Sequence, residues 1–292
     1  MVLSELMFIN AISQHFNYTV FMKKRDITVL VTGSSSGMGR ASVLALAKQG
    51  FTVYAASRTP EKLFDIQSES IRPVHLDITD MQSIEETIGF IEQIDVLVNN
   101  AGYGLVSTVE DVTEEEMFDQ FNVNVFGILR VCKAVIPKMR KQESGVIINI
   151  SSFLGKIGLP LFTFYNASKY AVEGITDSLR YELKDFNIRV HAIMPGFFNT
   201  NFARDNLVTN ARTFEEDSPY AKMVSTLAPT IVAQINGGNS TQEVSEMILE
   251  IIDNADFPAR RTVGDKAKKF IPMKKELSDE DFERRVRAYY NL

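Results

Sequence analysis

The sequence predicts an α/β fold, a single domain built on a doubly wound parallel sheet, and three features carry that expectation. From Ile27 onward, short β-rich runs alternate with helix-length amphipathic segments, the order that repeated βαβ units produce. Most of the strand candidates are nearly continuous apolar runs, as strands buried on both faces require. No Pro- or Gly-rich linker, internal repeat or low-complexity tract interrupts the core, so one domain is the economical reading of 292 residues.

Taken in order, strands are expected at Ile27 to Thr32, Thr52 to Ala56, Pro73 to Leu76, Asp95 to Val98, Val146 to Ile150, Arg189 to Met194 and Thr262 to Val263. Helices fall between them. Two have capping-box spacing at their starts, Thr113 with Glu116 and Ser240 with Glu243. Two regions break the rhythm. Phe197 to Gly238 is long and irregular and directly follows a strand end, so it reads as a substrate lid. The charged stretch from Asp265 to Leu292 carries Lys266, Lys268, Lys269, Lys274 and Lys275 before a run of acidic residues, and reads as a solvated helical tail.

Residues 1–25 form an extension ahead of the first strand. Met1 to Phe21 is fairly apolar, but no basic region precedes it, and Glu5, Asn10, Gln14, His15 and Asn17 interrupt it well short of the ~20 apolar residues of a membrane span. It reads as a loosely held extension or a peripheral helix, with Met22 as an alternative start.

Composition places the chain among folded globular proteins, with 45% hydrophobic and 23% charged residues. A net charge of -6 argues against a nucleic-acid binder, which needs a basic face. The single cysteine, Cys132, excludes an internal disulfide and a thiolate metal cluster and fits a reducing compartment, so a cytoplasmic protein is expected. The three histidines, His15, His75 and His191, are scattered, and no metal site is expected.

The first strand runs into Thr32-Gly33-Ser34-Ser35-Ser36-Gly37-Met38-Gly39, which opens a helix. Backbone N–H groups at such a turn face a pyrophosphate, and glycines let the phosphates approach closely. This makes the sheet Rossmann-type. The second strand ends Ala56-Ser57-Arg58-Thr59, with no acid to hold a free ribose 2′-hydroxyl. Ser57, Arg58 and Thr59 together suit a 2′-phosphate, so NADP(H) is expected, with NAD(H) as the secondary coenzyme.

Tyr165 and Lys169 lie four residues apart and share a helical face. A tyrosine titrates near pH ~10, and a neighbouring ammonium favours its ionised form, which makes the pair a candidate acid/base. Upstream, Ser151 and Ser152 end the strand Val146 to Ile150, where open α/β sheets place ligands. A hydroxyl there can hydrogen-bond a substrate oxygen as charge develops on it.

These motifs resemble the compact branch of the short-chain dehydrogenases, through the Gly33, Gly37, Gly39 spacing, Asn99-Asn100-Ala101-Gly102 and Tyr165-x-x-x-Lys169. Leu97 to Gly104 and Asn124-Val125-Phe126-Gly127 look like the 17β-hydroxysteroid dehydrogenase-like subgroup, with Met38 in place of the more usual isoleucine. The resemblance implies hydride transfer between a nicotinamide and a carbonyl or alcohol. It assigns the catalytic set to Ser152, thirteen residues before Tyr165, with Tyr165, Lys169 and Asn124, although Asn122 lies close by. Lys169 would also bind the nicotinamide ribose.

For the cofactor it implicates Gly33, Ser35, Gly37, Met38, Gly39, Asp77, Asn99, Ala101, Gly102, Pro195, Gly196 and Thr200, beside Ser57 and Arg58. A turn carboxylate remains the other reading of Asp77. The family's members commonly pair as homodimers or homotetramers, and the substrate is expected to be an apolar small-molecule carbonyl or alcohol. Two other readings stand beside this one. An NADP(H)-binding regulatory or scaffold protein would lack turnover, and a sugar epimerase or dehydratase would favour a different glycine spacing.

Overall fold

In the computed structural model, residues 24–200 and 206–292 are described. Most of the extension expected at residues 1–25 lies outside the described residues. The main sheet contains β1 (Thr28–Thr32), β2 (Thr52–Ser57), β3 (Ile71–His75), β4 (Val96–Asn99), β6 (Gly145–Ile150), β7 (Ile188–Pro195) and β9 (Arg260–Val263). It has seven strands in the order β3-β2-β1-β4-β6-β7-β9, and every neighbouring pair is parallel. The expected doubly wound parallel sheet in one domain is therefore observed, with strand ends displaced by a residue or two. β3 contains Pro73, which is tolerated because β3 is an edge strand with one open hydrogen-bonding side.

Alternation along β1 explains the two helical layers. Val29 and Val31 face one side, where Val43 and Leu46 of α1 (Gly37–Lys48) meet Val244, Ile248 and Ile251 of α7 (Gln242–Asp253). Leu30 faces the other, packing with α2 (Met81–Phe90), α4 (Ile128–Gln142) and α5 (Thr163–Glu182). Period-two exposure of apolar side chains on both faces is what forces the helices above and below the sheet. The strand order reverses between β1 and β4, opening a crevice at their carboxyl ends.

The remaining elements build a cap at that end. Two short strands, β5 (Gly104–Val106) and β8 (Leu207–Thr209), pair parallel in a separate small sheet. The expected lid is not irregular: among its described residues are β8 and the helix α6 (Ala221–Asn236). Its ends are stitched together, since Asn199 N donates to Asn239 O at 2.9 Å and Asn239 N donates to Phe197 O at 3.1 Å.

The expected solvated tail also needs correction. It forms α8 (Asp265–Glu276) and α9 (Asp279–Tyr290), whose Phe270, Ile271, Phe282, Val286 and Tyr290 join Leu154, Phe197 and Leu227 in a third apolar cluster. Phe270 is fully buried, which stabilises by about 1.5 to 3 kcal/mol relative to exposure. Lys268, Lys269 and Lys275 are exposed while Lys266 and Lys274 are half-buried, and the density of lysines masks an amphipathic helix.

Of the two expected capping boxes, one forms. Thr113 and Glu116 cap α3 (Glu114–Phe121) reciprocally, with Thr113 N donating to Glu116 Oε2 at 2.9 Å. At α7 the residue before the helix is Thr241, and Glu243 instead accepts from Asn239 Nδ2 at 2.8 Å. Asn239 is also bonded to Phe197 and Asn199 across the chain, so tertiary contact overrides the local pattern.

Candidate active site

The glycine turn after β1 is held against the segment after β4. Gly33 has φ +66°, and a Cβ there would stand 2.7 Å from Ala101 Cα. A Cβ on Gly39 would meet Gly33 O at 2.4 Å. Bare backbone is therefore required at both positions for the turn to close. Asn100 Nδ2 donates to Thr32 O and Gly33 O, each at 3.0 Å, while Thr32 Oγ1 accepts from Asn100 N and Ala101 N at 3.0 Å. The sequence places Thr32 and Asn100 within their motifs but gives neither a role at the site. The bonds they make are long-range in the chain, so only the fold reveals them.

Asn99 stands differently from its neighbours. Its Nδ2 donates to Asn149 Oδ1 at 2.9 Å inside the sheet, so its side chain braces β4 against β6. Ser36 precedes α1 in an extended conformation and makes no side-chain cap. The first N–H groups of α1 are thus left uncapped by that side chain, as an anion-binding turn needs.

At the end of β2, Ser57 is buried and its Oγ accepts from Thr59 N at 3.1 Å, while Arg58 is exposed. Asp77 follows β3, and its Oδ1 accepts from Thr79 N at 2.8 Å and Thr79 Oγ1 at 2.7 Å. Burial pushes the Asp77 carboxyl up, but the Thr79 bonds and the charges of Arg58 and His75 outweigh it and hold it below the usual range. The turn carboxylate is real, and Arg58 lies close enough to feel it.

The second group of candidates converges at the carboxyl end of β6. Ser152 is buried, accepts from Leu154 N at 3.1 Å and hydrogen-bonds Tyr165. Ser151 lines the same pocket, but its buried Oγ has no hydrogen-bond partner among the described residues. Lys169 Nζ donates to Ile150 O at 2.9 Å and lies 5.7 Å from the centroid of the Tyr165 ring.

Burial pushes the Tyr165 phenol up to about 12, with the Ser152 bond working against it. Burial takes the Lys169 ammonium down to about 8, opposed by the charge of Glu173. The sequence expected Lys169 to draw the tyrosine down. In the structure the Ser152 hydrogen bond is what opposes burial at Tyr165.

Asn124 sits in a π-helical turn (Asn122–Gly127) between α3 and α4 and is fully buried. Its Nδ2 donates to Tyr103 O at 2.9 Å and Ser168 Oγ at 3.1 Å, and its Oδ1 accepts from Tyr103 N at 3.0 Å. Insertions of this kind re-aim a helix and recur at functional sites. The side chain of Asn124 thereby fixes the turn after β4 against α5. Asn122 makes no such bridge, and its buried Oδ1 has no hydrogen-bond partner among the described residues. A Cβ on Gly102 would lie 3.0 Å from Asn124 Oδ1 and 3.8 Å from Lys169 Nζ, so these three residues meet at one point.

A narrow pocket of about 60 Å³ connects the two halves. Met38, Ser152, Tyr165, Pro195, Gly196 and Thr200 line it, and Leu154, Phe162, Phe197, Phe198, Leu207 and Ile235 give it an apolar wall. Thr200 borders the glycine turn, since a Cβ on Gly37 would lie 3.6 Å from its side chain. Among the described residues no group of His, Cys, Asp or Glu is arranged to hold a metal, and no helix is long and apolar enough to cross a membrane.

A doubly wound parallel sheet with a glycine turn at its switch point, facing a Ser–Tyr–Lys cluster, defines a dinucleotide-fold α/β protein of the oxidoreductase type. The chain belongs to the short-chain dehydrogenase family, whose profile, described as "short chain dehydrogenase", matches residues 27–210. It is 36% identical over 272 residues to a 3-ketodihydrosphingosine reductase of Bacteroides thetaiotaomicron, covering 90% of this chain and 98% of that one. A crystal structure of a short-chain dehydrogenase from Streptomyces avermitilis matches with a TM-score of 0.76 at 32% identity, covering 90% of this chain and 97% of that one. A second, from Burkholderia cenocepacia in complex with NADP, shares the fold with a TM-score of 0.72 at 24% identity, covering 91% and 99%. These matches support the family without narrowing it to the 17β-hydroxysteroid dehydrogenase-like subgroup.

Proposed function

We propose that the protein is a cytoplasmic oxidoreductase that moves a hydride between NADP(H) and an apolar small-molecule carbonyl or alcohol. The observation that carries this reading is the convergence of Ser152, Tyr165 and Lys169 beside the glycine turn. The cradle suits a dinucleotide, because its backbone is bare where Gly33 and Gly39 close the turn. Gly33, Ser35, Gly37, Met38 and Gly39 would hold the pyrophosphate side, Ser57 and Arg58 the 2′-phosphate, and Asp77, Ala101 and Gly102 the adenosine. Pro195, Gly196 and Thr200 would border the nicotinamide. When bound, that ring supplies or takes the hydride.

The chain's own residues manage the proton. Ser152 Oγ holds the substrate oxygen, and Tyr165 gives or accepts the proton there. With its phenol pushed up to about 12, Tyr165 is protonated at neutral pH, the form that donates during reduction. Lys169 donates to the cofactor ribose, and Asn124 fixes the turn that carries Gly102. The apolar wall of the pocket favours a carbon-rich substrate, and the name of the Bacteroides relative adds a long-chain amino ketone to the candidates.

The test is NADPH consumption with a carbonyl panel that includes aliphatic and aromatic ketones, a 3-keto long-chain base and a 3-oxoacyl thioester. Loss of NADPH matched by alcohol formation is expected. Binding of NADPH without consumption across the panel would instead establish the regulatory or scaffold reading.

A homodimer or homotetramer is also proposed. Phe126 and Leu129, around the start of α4, and Tyr170 on α5 remain exposed in the single chain, as interface side chains would. Light scattering should give a mass two or four times that of the chain. A monomer mass independent of concentration would refute it.

A further inference from the structure

One turn beyond Lys169 on α5 stands Glu173, a carboxylate that the proposed reaction does not use. Four residues apart, the two side chains share a helical face. Both are withdrawn from water, Lys169 at 5% and Glu173 at 3% exposure. Charged groups this deeply buried are rare unless paired, because desolvation penalises the ionised form.

Glu173 is gripped from one side. Its Oε2 accepts from Arg260 Nε at 2.5 Å and lies 3.1 Å from Lys156 Nζ. Arg260 reaches it from β9, and its Nη2 also donates to the Glu173 carbonyl at 3.1 Å and pairs with Asp177 at 2.7 Å. The other oxygen, Oε1, is buried with no hydrogen-bond partner among the described residues. An ion pair that only tied α5 to β9 would gain nothing from a second, unsatisfied oxygen. Such an oxygen costs desolvation energy, and its field acts on nearby cations in surroundings of low dielectric constant.

We propose that Glu173 is a positioning residue whose buried carboxylate keeps Lys169 in its ammonium form, with Arg260 and Lys156 fixing that carboxylate in place. The proposal rests on the role given to Lys169 above. Burial takes Lys169 down to about 8 even with Glu173 pulling the other way, so the balance between its two forms falls near physiological pH. Among the described residues, the charged and titratable groups of this cluster are Tyr165, Glu173 and Asp177 on α5, Lys156 after β6 and Arg260 on β9. The β4 side presents the neutral Gly102 and Asn124. Glu173 is the acidic member that raises Lys169.

The experiment titrates NADPH, read by fluorescence, into the full chain from about pH 6 to about pH 10, spanning the Lys169 transition. Lysine loses its proton as pH rises, so affinity should fall on the alkaline side in the unmodified protein and show no such fall in Lys169→Ala. In Glu173→Gln the midpoint of that fall should move acid by about 1 pH unit, because removing an opposite charge lowers a lysine pKa. Asp177→Asn, which breaks the other pair of Arg260, should leave the midpoint in place. A purely structural role would change melting temperature without moving the midpoint.

If Glu173→Gln does not fold, the double variant Glu173→Gln, Arg260→Met removes both members of the buried pair, a replacement proteins often tolerate, and should show the same acid shift. A folded variant with an unmoved midpoint, alongside a Lys169→Ala that abolishes the alkaline fall, would overturn the proposal and spare the reaction. A Lys169→Ala with unchanged NADPH affinity at every pH would overturn the role of Lys169 itself, and this proposal with it.

Discussion

Tyr165→Phe is expected to reduce turnover about a hundred- to ten-thousandfold, the range typical of losing a positioned acid/base, while NADPH affinity changes little. The ring should stay where it is. Its edge-to-face contact with Phe162, at 6.2 Å between centroids, does not involve the hydroxyl. The variant loses one hydrogen bond to Ser152, worth about 0.5 to 1.5 kcal/mol, too little to unfold a domain of this size. What disappears is the proton source, since a phenol held near pH 12 is fully protonated under assay conditions. Steady-state turnover beside fluorescence titration of NADPH separates chemistry from binding. Near-wild-type reduction by the variant would end the acid/base assignment.

The fold was legible because its strongest signals are periodic and local. Val29, Leu30 and Val31 read as a strand buried on both faces, and they serve two separate apolar layers. What escaped is structure that exists only through long-range contact. β5 and β8 are three residues each, and they pair across a hundred positions of sequence, Leu105 with Val208. The tail misled for another reason. Its charge density suggested solvent on all sides, yet Phe270, Phe282 and Tyr290 recur at positions that reach one apolar cluster.

At the site, residue types were legible and their partners were not. The thirteen-residue spacing to Tyr165 favours Ser152 over Ser151 only through the family resemblance, whereas the structure supplies the contact itself, a hydrogen bond between Ser152 and Tyr165. The resemblance favours Asn124 with Asn122 close by, and the π-helical turn buries Asn124 and bridges it to α5 while leaving Asn122 half-buried. Asn99 shows the converse, a residue of the Asn-Asn-Ala-Gly motif expected at the cofactor whose side chain instead bonds Asn149 inside the sheet. Burial also reversed the expected electrostatics at Tyr165, because desolvation depends on packing that no short motif encodes.

Coenzyme choice gives the second large effect. The protein is expected to prefer NADP(H), because Arg58 follows β2 and no carboxylate ends that strand. An arginine–phosphate contact is worth about 1.5 to 3 kcal/mol, roughly ten- to hundredfold in affinity. Asp77 competes for the same guanidinium, since Arg58 helps hold that carboxyl ionised. A 2′-phosphate carries more charge than one carboxylate and offers several acceptor oxygens, so it should win. Arg58 is exposed, and its removal leaves the core untouched. Ser57 Oγ accepts from Thr59 N at 3.1 Å, a bond an aspartate there can also accept. Ser57→Asp with Arg58→Ala should therefore keep the fold, weaken NADPH binding at least tenfold and improve NADH binding, because the new carboxylate repels a phosphate and accepts from a ribose hydroxyl. Fluorescence titration of both coenzymes into both proteins measures it. Equal or tighter NADH binding by the unmodified protein would refute the NADP(H) assignment, and the proton chemistry at Tyr165 would stand regardless, since Tyr165 follows β6 and Arg58 follows β2, with β1 and β4 between them in the sheet.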